Sequence, residues 1–374
     1  MTIYEKAKDF AERNIKPIAK EIDDEAKFPK EVFKALGEED YLRLLIPEEL
    51  GGLGGTIEDH TQVCLAFGEY SASVALCYMM HNVCLSTLLT YANDELKKEV
   101  CDAVVKEGKF TALAYSEFGT GTHFYIPELK ADNQEDYAVL NGRKSMVTSA
   151  ENASYYLLST PSTIEGQTDN WLIPLDKEGV SFQMEQWHGL GMKGNVSCPM
   201  TLTDVKLDYK YMVGEKGTAV DQIFTVIAPF FVVGLAAVYS GLCANMCEAA
   251  TRHAMKRTYP DGSNLANIET VQIHLAQIYK MAASAKYLTL EAARSANNGE
   301  EDALAKILAS RINAAENSIE CGRLAMRIGG GKAYNKAGSI ERLLRDSYAG
   351  QIMAPSVDVL DLWLGRALTG QDLI

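Results

Sequence analysis

The sequence contains no C-x-x-C pair; its eight cysteines stand alone at positions 64, 77, 84, 101, 198, 243, 247 and 321. Scattered in this way they build neither a zinc ribbon nor a disulfide framework, and free thiols point to a reducing, cytoplasmic setting. Histidine is scarce, six in all and never closer than 21 residues apart, so no metal pair on a helix or hairpin is expected. Lys and Arg number 36 against 50 Asp and Glu, a net charge of −14 that argues against a nucleic-acid surface. The patterns G-x-S-x-G, H-E-x-x-H and G-x-x-x-x-G-K-[ST] are all missing, which removes the usual hydrolase, metalloprotease and P-loop readings. The opening Met1–Lys6 reads as an amphipathic helix with neither an apolar signal core nor a basic transit pattern.

What is present is an ordinary globular composition, 47% hydrophobic and 23% charged, long enough for two or three domains. One run tests that reading. Ile223–Met246 carries no charge and is long enough to cross a bilayer. It also holds Pro229, Gly234, Gly241, Tyr239, Ser240 and Asn245, with no Lys/Arg belt at its flanks. An interior helix, apolar on every side, is the expected outcome, with no membrane.

The period of apolar residues divides the chain in three. Residues 1–107 read as an all-α domain: Ile3, Ala7, Phe10, Ala11 and Ile15 share one face, and later helices are expected at about 57–91 and 93–107. Residues 108–217 read as a β-domain of short strands, with Asn141-Gly142 as a type I′ hairpin turn between two of them. Residues 218–374 return to helices, one spanning 302–328 and stopping at Gly329-Gly330-Gly331, a last one at about 357–368. The fold class is therefore α+β.

Three glycine- and hydroxyl-rich segments could meet a ligand. Tyr115–Thr122 is either a plain turn or a loop whose backbone a ligand approaches. Met146–Ser149 is a strand end. Arg327–Gly331 is either a helix C-cap or an arginine and backbone amides facing a pyrophosphate.

Together these segments resemble the acyl-CoA dehydrogenase flavoproteins over nearly the whole chain. Ala114–Thr122 resembles the family's T-E-P-G-A-G-S-D loop, and Leu140–Thr148 its L-N-G-x-K-x-W-I-T strand. Met326–Tyr334 resembles L-Q-I-x-G-G-x-G-Y, Ile340–Asp346 resembles V-E-R-x-x-R-D, and Gly365–Leu368 resembles A-R-A-L. The resemblance implies a helical N-terminal domain, a β-barrel-like middle, a C-terminal four-helix bundle, FAD between the last two, and assembly into homodimers or homotetramers. It implies that Tyr115, Ser116, Gly121 and Thr122 run along the flavin and its phosphates, by backbone and side chain. Met146 and Thr148 flank the ring, Thr148 near N5, with Ser356 also at the cofactor. Arg327, Gly330 and Gly331 meet the pyrophosphate of a neighbouring subunit's FAD, with Arg257 or Lys256, and Gln272, beside them.

One expected group is missing. The glutamate that removes the substrate α-proton in the family falls on Ala354, its alternative position in the central helix on Phe230, and the family's CoA-holding Asp and Arg on Ala228 and Phe231. Substitute bases are sought in His81, Asp358 and His123. The resemblance thus implies an FAD-dependent oxidoreductase acting on an acyl thioester, an acyl-CoA among them, or a related carbon acid, with a non-standard base and an electron-transfer partner. The alternative is a monooxygenase of the same fold, fed by a flavin reductase and O2.

Overall fold

A computed structural model describes residues 1–374. The first 107 residues form six helices: α1 (Ile3–Asn14), α2 (Ala19–Glu25), α3 (Lys30–Glu38), α4 (Ile57–Gly68), α5 (Ala72–Tyr91) and α6 (Asp94–Glu107). Capping sets several of their starts. Thr2 and Thr56 each close a reciprocal capping box, and Asn93 accepts from the Leu96 amide. The expected single helix at 57–91 is two, because Ser71 is extended and its hydroxyl accepts from Val74 to start α5 anew. Periodicity missed this break because α5 is buried on nearly every side and shows no polar stripe.

Eight strands follow: β1 (Thr111–Leu113), β2 (Lys130–Asn133), β3 (Tyr137–Val147), β4 (Tyr155–Pro161), β5 (Thr168–Pro174), β6 (Val180–Phe182), β7 (Cys198–Asp208) and β8 (Met212–Val213). They make two four-stranded sheets, ordered β1-β4-β5-β8 and β2-β3-β7-β6, antiparallel except for β1 beside β4. The hairpin expected at Asn141-Gly142 does not form. β3 runs straight through as one strand with a bulge between Leu140 and Gly142. Asn141 uses its turn-forming side chain across the sheet: Oδ1 accepts from the Asp204 amide at 2.8 Å, and Nδ2 donates to the Asp204 carboxylate at 3.1 Å. A cross-strand partner outcompetes the local turn.

The last part comprises α7 (Ala219–Gln222), a π-helical turn (Ile223–Ile227), α8 (Ala228–Lys256), α9 (Glu269–Asn297), α10 (Ala303–Tyr334), α11 (Ile340–Ile352) and α12 (Val357–Leu368). The uncharged run lies inside. Most of α8 is buried, and it packs on α4, α5, α9 and α10. Two helical stretches, Ala72–Tyr91 and Ala219–Lys256, are long and apolar enough to cross a membrane, and 94% and 67% of their apolar windows are buried in this packing. The main apolar core, 99 residues, runs through helices and sheets alike, and Ala150, Val196 and Cys198 form a small separate cluster. The glycine run breaks α10 as expected: Gly330, at φ 54° and ψ −146°, lies outside helical space, and one further turn follows it. α11 is an addition to the helices expected from periodicity, and its Arg345 ties Asp23 of α2 at 2.5 Å and the Leu190 carbonyl at 2.9 Å.

Candidate functional site

The Tyr115–Thr122 loop leaves β1 and is tied down from below. Lys144 of β3 is fully buried and pairs with buried Glu117, while donating to the Ser159 carbonyl at 3.0 Å. Burial pushes the Lys144 ammonium down to about 8, against the pull of the Glu117 carboxylate. Glu117 also accepts from the Glu128 amide at 2.5 Å, and the Ser116 carbonyl accepts from the Ser145 amide at 2.8 Å. The start of the loop is thereby held to β3, through Ser116 and Glu117. Nothing local in the sequence pairs Lys144 with Glu117, 27 residues away; a lysine on the inward side of β3 is the only signal.

Tyr115 departs from expectation. Its ring is buried and its hydroxyl donates to Asn170 Oδ1 at 2.6 Å, with Asn170 donating on to Gln222. Only its backbone is left for a ligand, because the side chain anchors the loop to β5 and α7. Ser116 and Thr122 are half-buried, Gly121 sits at φ 54°, and Thr120 Oγ1 is buried with no hydrogen-bond partner. Met146 is 59% exposed on β3, and Thr148 lies just beyond the strand, buried, with its hydroxyl 3.1 Å from that of Ser197.

His81 is corrected as a candidate base. It is fully buried on α5, Nε2 contacts the Leu42 carbonyl at 2.7 Å, and Nδ1 accepts from the Thr111 amide at 3.1 Å. With both nitrogens engaged and burial lowering its pKa to about 4, it is a core histidine. Asp358 stands exposed in the first turn of α12, where the helix dipole favours a carboxylate. His123 is exposed and lies 3.0 Å from the Tyr125 hydroxyl. Ala354 comes one residue after Met353, the C-cap of α11, Ser356 is the residue before α12, and Phe230 packs its ring 5.6 Å from that of His60.

A second cluster joins the end of α8 to the end of α10. Arg257, Arg327 and Lys332 are exposed, and none of them pairs with a carboxylate. Arg257 covers Tyr259 and lies near Gly330, where an added Cβ would stand 4.0 Å from its Nη1; Gly331 has open space around it. His253, one turn earlier on α8, has a buried Nε2 without a partner. Burial, Lys332 and Arg257 together lower its pKa. His274 is lowered likewise by burial and by Arg327 and Arg323. Gln272 has its amide nitrogen committed to the Ala266 carbonyl at 2.9 Å. In a chain of net charge −14, unpaired cations around a glycine cradle and an orphaned imidazole nitrogen fit a diphosphate. The open hydroxyl of Thr120 and the exposed Met146 wall fit the rest of FAD at the strand end.

Three family models, the acyl-CoA dehydrogenase N-terminal, middle and C-terminal domains, match residues 1–107, 112–205 and 233–368 in that order. The chain belongs to the acyl-CoA dehydrogenase family. Among its relatives, a 3-(aryl)acrylate reductase of Clostridium sporogenes is 28% identical over 91% of this chain and 90% of its own length. Butyryl-CoA dehydrogenase of Megasphaera elsdenii has the same fold, with a TM-score of 0.91 at 20% identity over 98% of this chain and 97% of that one. The FAD complex of PigA superposes with a TM-score of 0.89 at 19% identity over 98% of this chain and 96% of that one. The chain is an oxidoreductase of that family.

Proposed function

We propose that this acyl-CoA dehydrogenase family member is FAD-dependent and acts at the Cα–Cβ bond of an acyl thioester, an acyl-CoA among them, or a related carbon acid, in the direction of reduction. The observation that sets this chain apart is Ala354: the position that would hold the proton-exchanging glutamate holds a methyl group, while the cofactor-facing loops persist, so proton transfer at the α-carbon falls to another group in either direction. The relative named as an acrylate reductase supports the sense of reduction.

FAD, when bound, supplies hydride exchange at N5. Ser116, Gly121, Thr122 and the Tyr115 backbone hold it along the loop; Met146 and Thr148 flank its ring, and Ser356 closes near it. Arg257, Arg327, Gly330 and Gly331, with the free carbonyl of Gln272, receive the diphosphate of a neighbouring copy's FAD. That arrangement requires a homodimer or homotetramer. Exposed Met255, Tyr279 and Tyr287, lining an apolar groove between α8 and α9, suit such an interface. Asp358 and His123 remain as the candidates for exchanging the proton at the α-carbon. The protein works in the cytoplasm and takes electrons from an electron-transfer partner. A monooxygenase using reduced flavin and O2 stays the second reading, and the acrylate reductase among the relatives favours the first.

The test is anaerobic. FAD-loaded protein is mixed with saturated acyl-CoAs, and its reduced form with 2-enoyl-CoAs, following flavin absorbance. Reoxidation by an enoyl thioester is expected. Ala354→Glu should raise acyl-CoA oxidation about 10²-fold, the usual contribution of a general base. No gain in a variant that still holds FAD excludes a CoA thioester, and oxygen uptake only with a flavin reductase supports the monooxygenase.

A further inference from the structure

Beyond the end of β3, Thr148 meets two polar side chains from the loop before β7. Its Oγ1 lies 3.1 Å from Ser197 Oγ, and Ser197 Oγ donates to Asn195 Oδ1 at 3.1 Å. All three residues are buried. A serine hydroxyl has one proton and a carboxamide oxygen has none. Ser197 has spent its proton on Asn195, so Thr148 must donate to Ser197. The Thr148 oxygen can then offer any further neighbour only a lone pair.

The backbone makes this chain of hydroxyls hard to reorganise. The Asn195 carbonyl accepts from the Ser149 amide at 2.8 Å, and the Val196 carbonyl from the Ala150 amide at 3.2 Å. Ser149, Met192 and Val196 sit at φ 60°, 49° and 45°. A β-branched residue in that region is unusual, and such strain persists only where the surroundings over-determine it, commonly at functional sites.

We infer that Asn195 and Ser197 are positioning residues that turn Thr148 into a hydrogen-bond acceptor toward flavin N5, and so favour the reduced cofactor. This rests on the FAD reading above, which puts Thr148 beside N5. Oxidised N5 carries only a lone pair and meets the Thr148 oxygen unfavourably. Reduced N5 carries a hydrogen and donates to it.

The experiment measures the midpoint potential of FAD in the reconstituted full-length protein, by anaerobic equilibration with a reference dye. Ser197→Ala releases the Thr148 proton, which can then serve oxidised N5. The ratio of reduced to oxidised flavin at a fixed poise should fall about tenfold, about 30 mV to the negative side for a two-electron couple. Thr148→Val should give a fall of similar size, and Ser197→Ala should add nothing in that background, as expected of residues acting through one another. A Ser197→Ala potential that is unchanged or more positive, or that shifts equally without the Thr148 hydroxyl, overturns the inference. A wild-type chain that takes up no flavin overturns the FAD reading itself, whereas a flavin-loaded chain with an insensitive potential overturns only the role of Ser197 and Asn195.

Discussion

Beyond the end of β3, Thr148, Ser197 and Asn195 are buried and hand hydrogen bonds from one to the next, and Lys144 of the same strand is buried with Glu117. At the helix end Arg257, Arg327 and Lys332 reach into solvent with no carboxylate to meet them. Buried dipoles in a strained frame act at one place and in one direction, and salt reaches them little. Exposed cations act over a distance and are screened within about 10 Å at 0.1 M salt. The first arrangement suits control of the reacting ring, the second capture of a charged tail.

The largest test of this contrast is Lys144→Met. Removing one partner of a buried ion pair leaves the other charge uncompensated, a loss of about 3–5 kcal/mol. A thermal midpoint within a degree of wild type would show that the Glu117 loop is not held by that pair. Asp346 comes next. It is fully buried, accepts from the Met192 amide at 2.5 Å, and burial raises its pKa to about 6 despite Arg342. A carboxyl whose folded pKa is raised contributes stability below its unfolded pKa, near 4, and loses it as pH rises through about 6. Asp346→Asn should therefore gain on wild type by on the order of 2–3 kcal/mol between pH 4 and 7, read by denaturant unfolding. Parallel curves would contradict a neutral Asp346 at low pH.

Smaller effects belong to the helix end. Arg257→Gln should weaken FAD binding about tenfold at low salt, the loss of one charge-assisted contact, and the deficit should shrink as salt rises. A salt-independent deficit would mean that Arg257 packs rather than attracts. Gly330→Ala should cost about 1 kcal/mol of stability from its positive φ. An unchanged unfolding midpoint would show that the break in α10 relaxes freely.

Much of this could be read from residues in order. The interior position of Ile223–Met246 followed from its lack of charge, and the break at Gly330 from its neighbours. The errors share one cause. Asn141-Gly142 has the composition of a turn, but Asp204, 63 residues away, takes up its side chain. A histidine in water titrates where a base is useful, but at position 81 burial lowers it to about 4 and Leu42 and Thr111 occupy both nitrogens. Tyr115 looked like a flavin contact until Asn170, 55 residues on, claimed its hydroxyl.

Element type and order came from local periodicity and capping, and the loss of the glutamate from residue identity at position 354; both are written in the chain itself. Which hydroxyl gives its proton to which neighbour, and which charges stay unpaired, was decided only when distant segments met. A hydrogen bond depends on ångström-scale placement, and sequence spacing carries no such information.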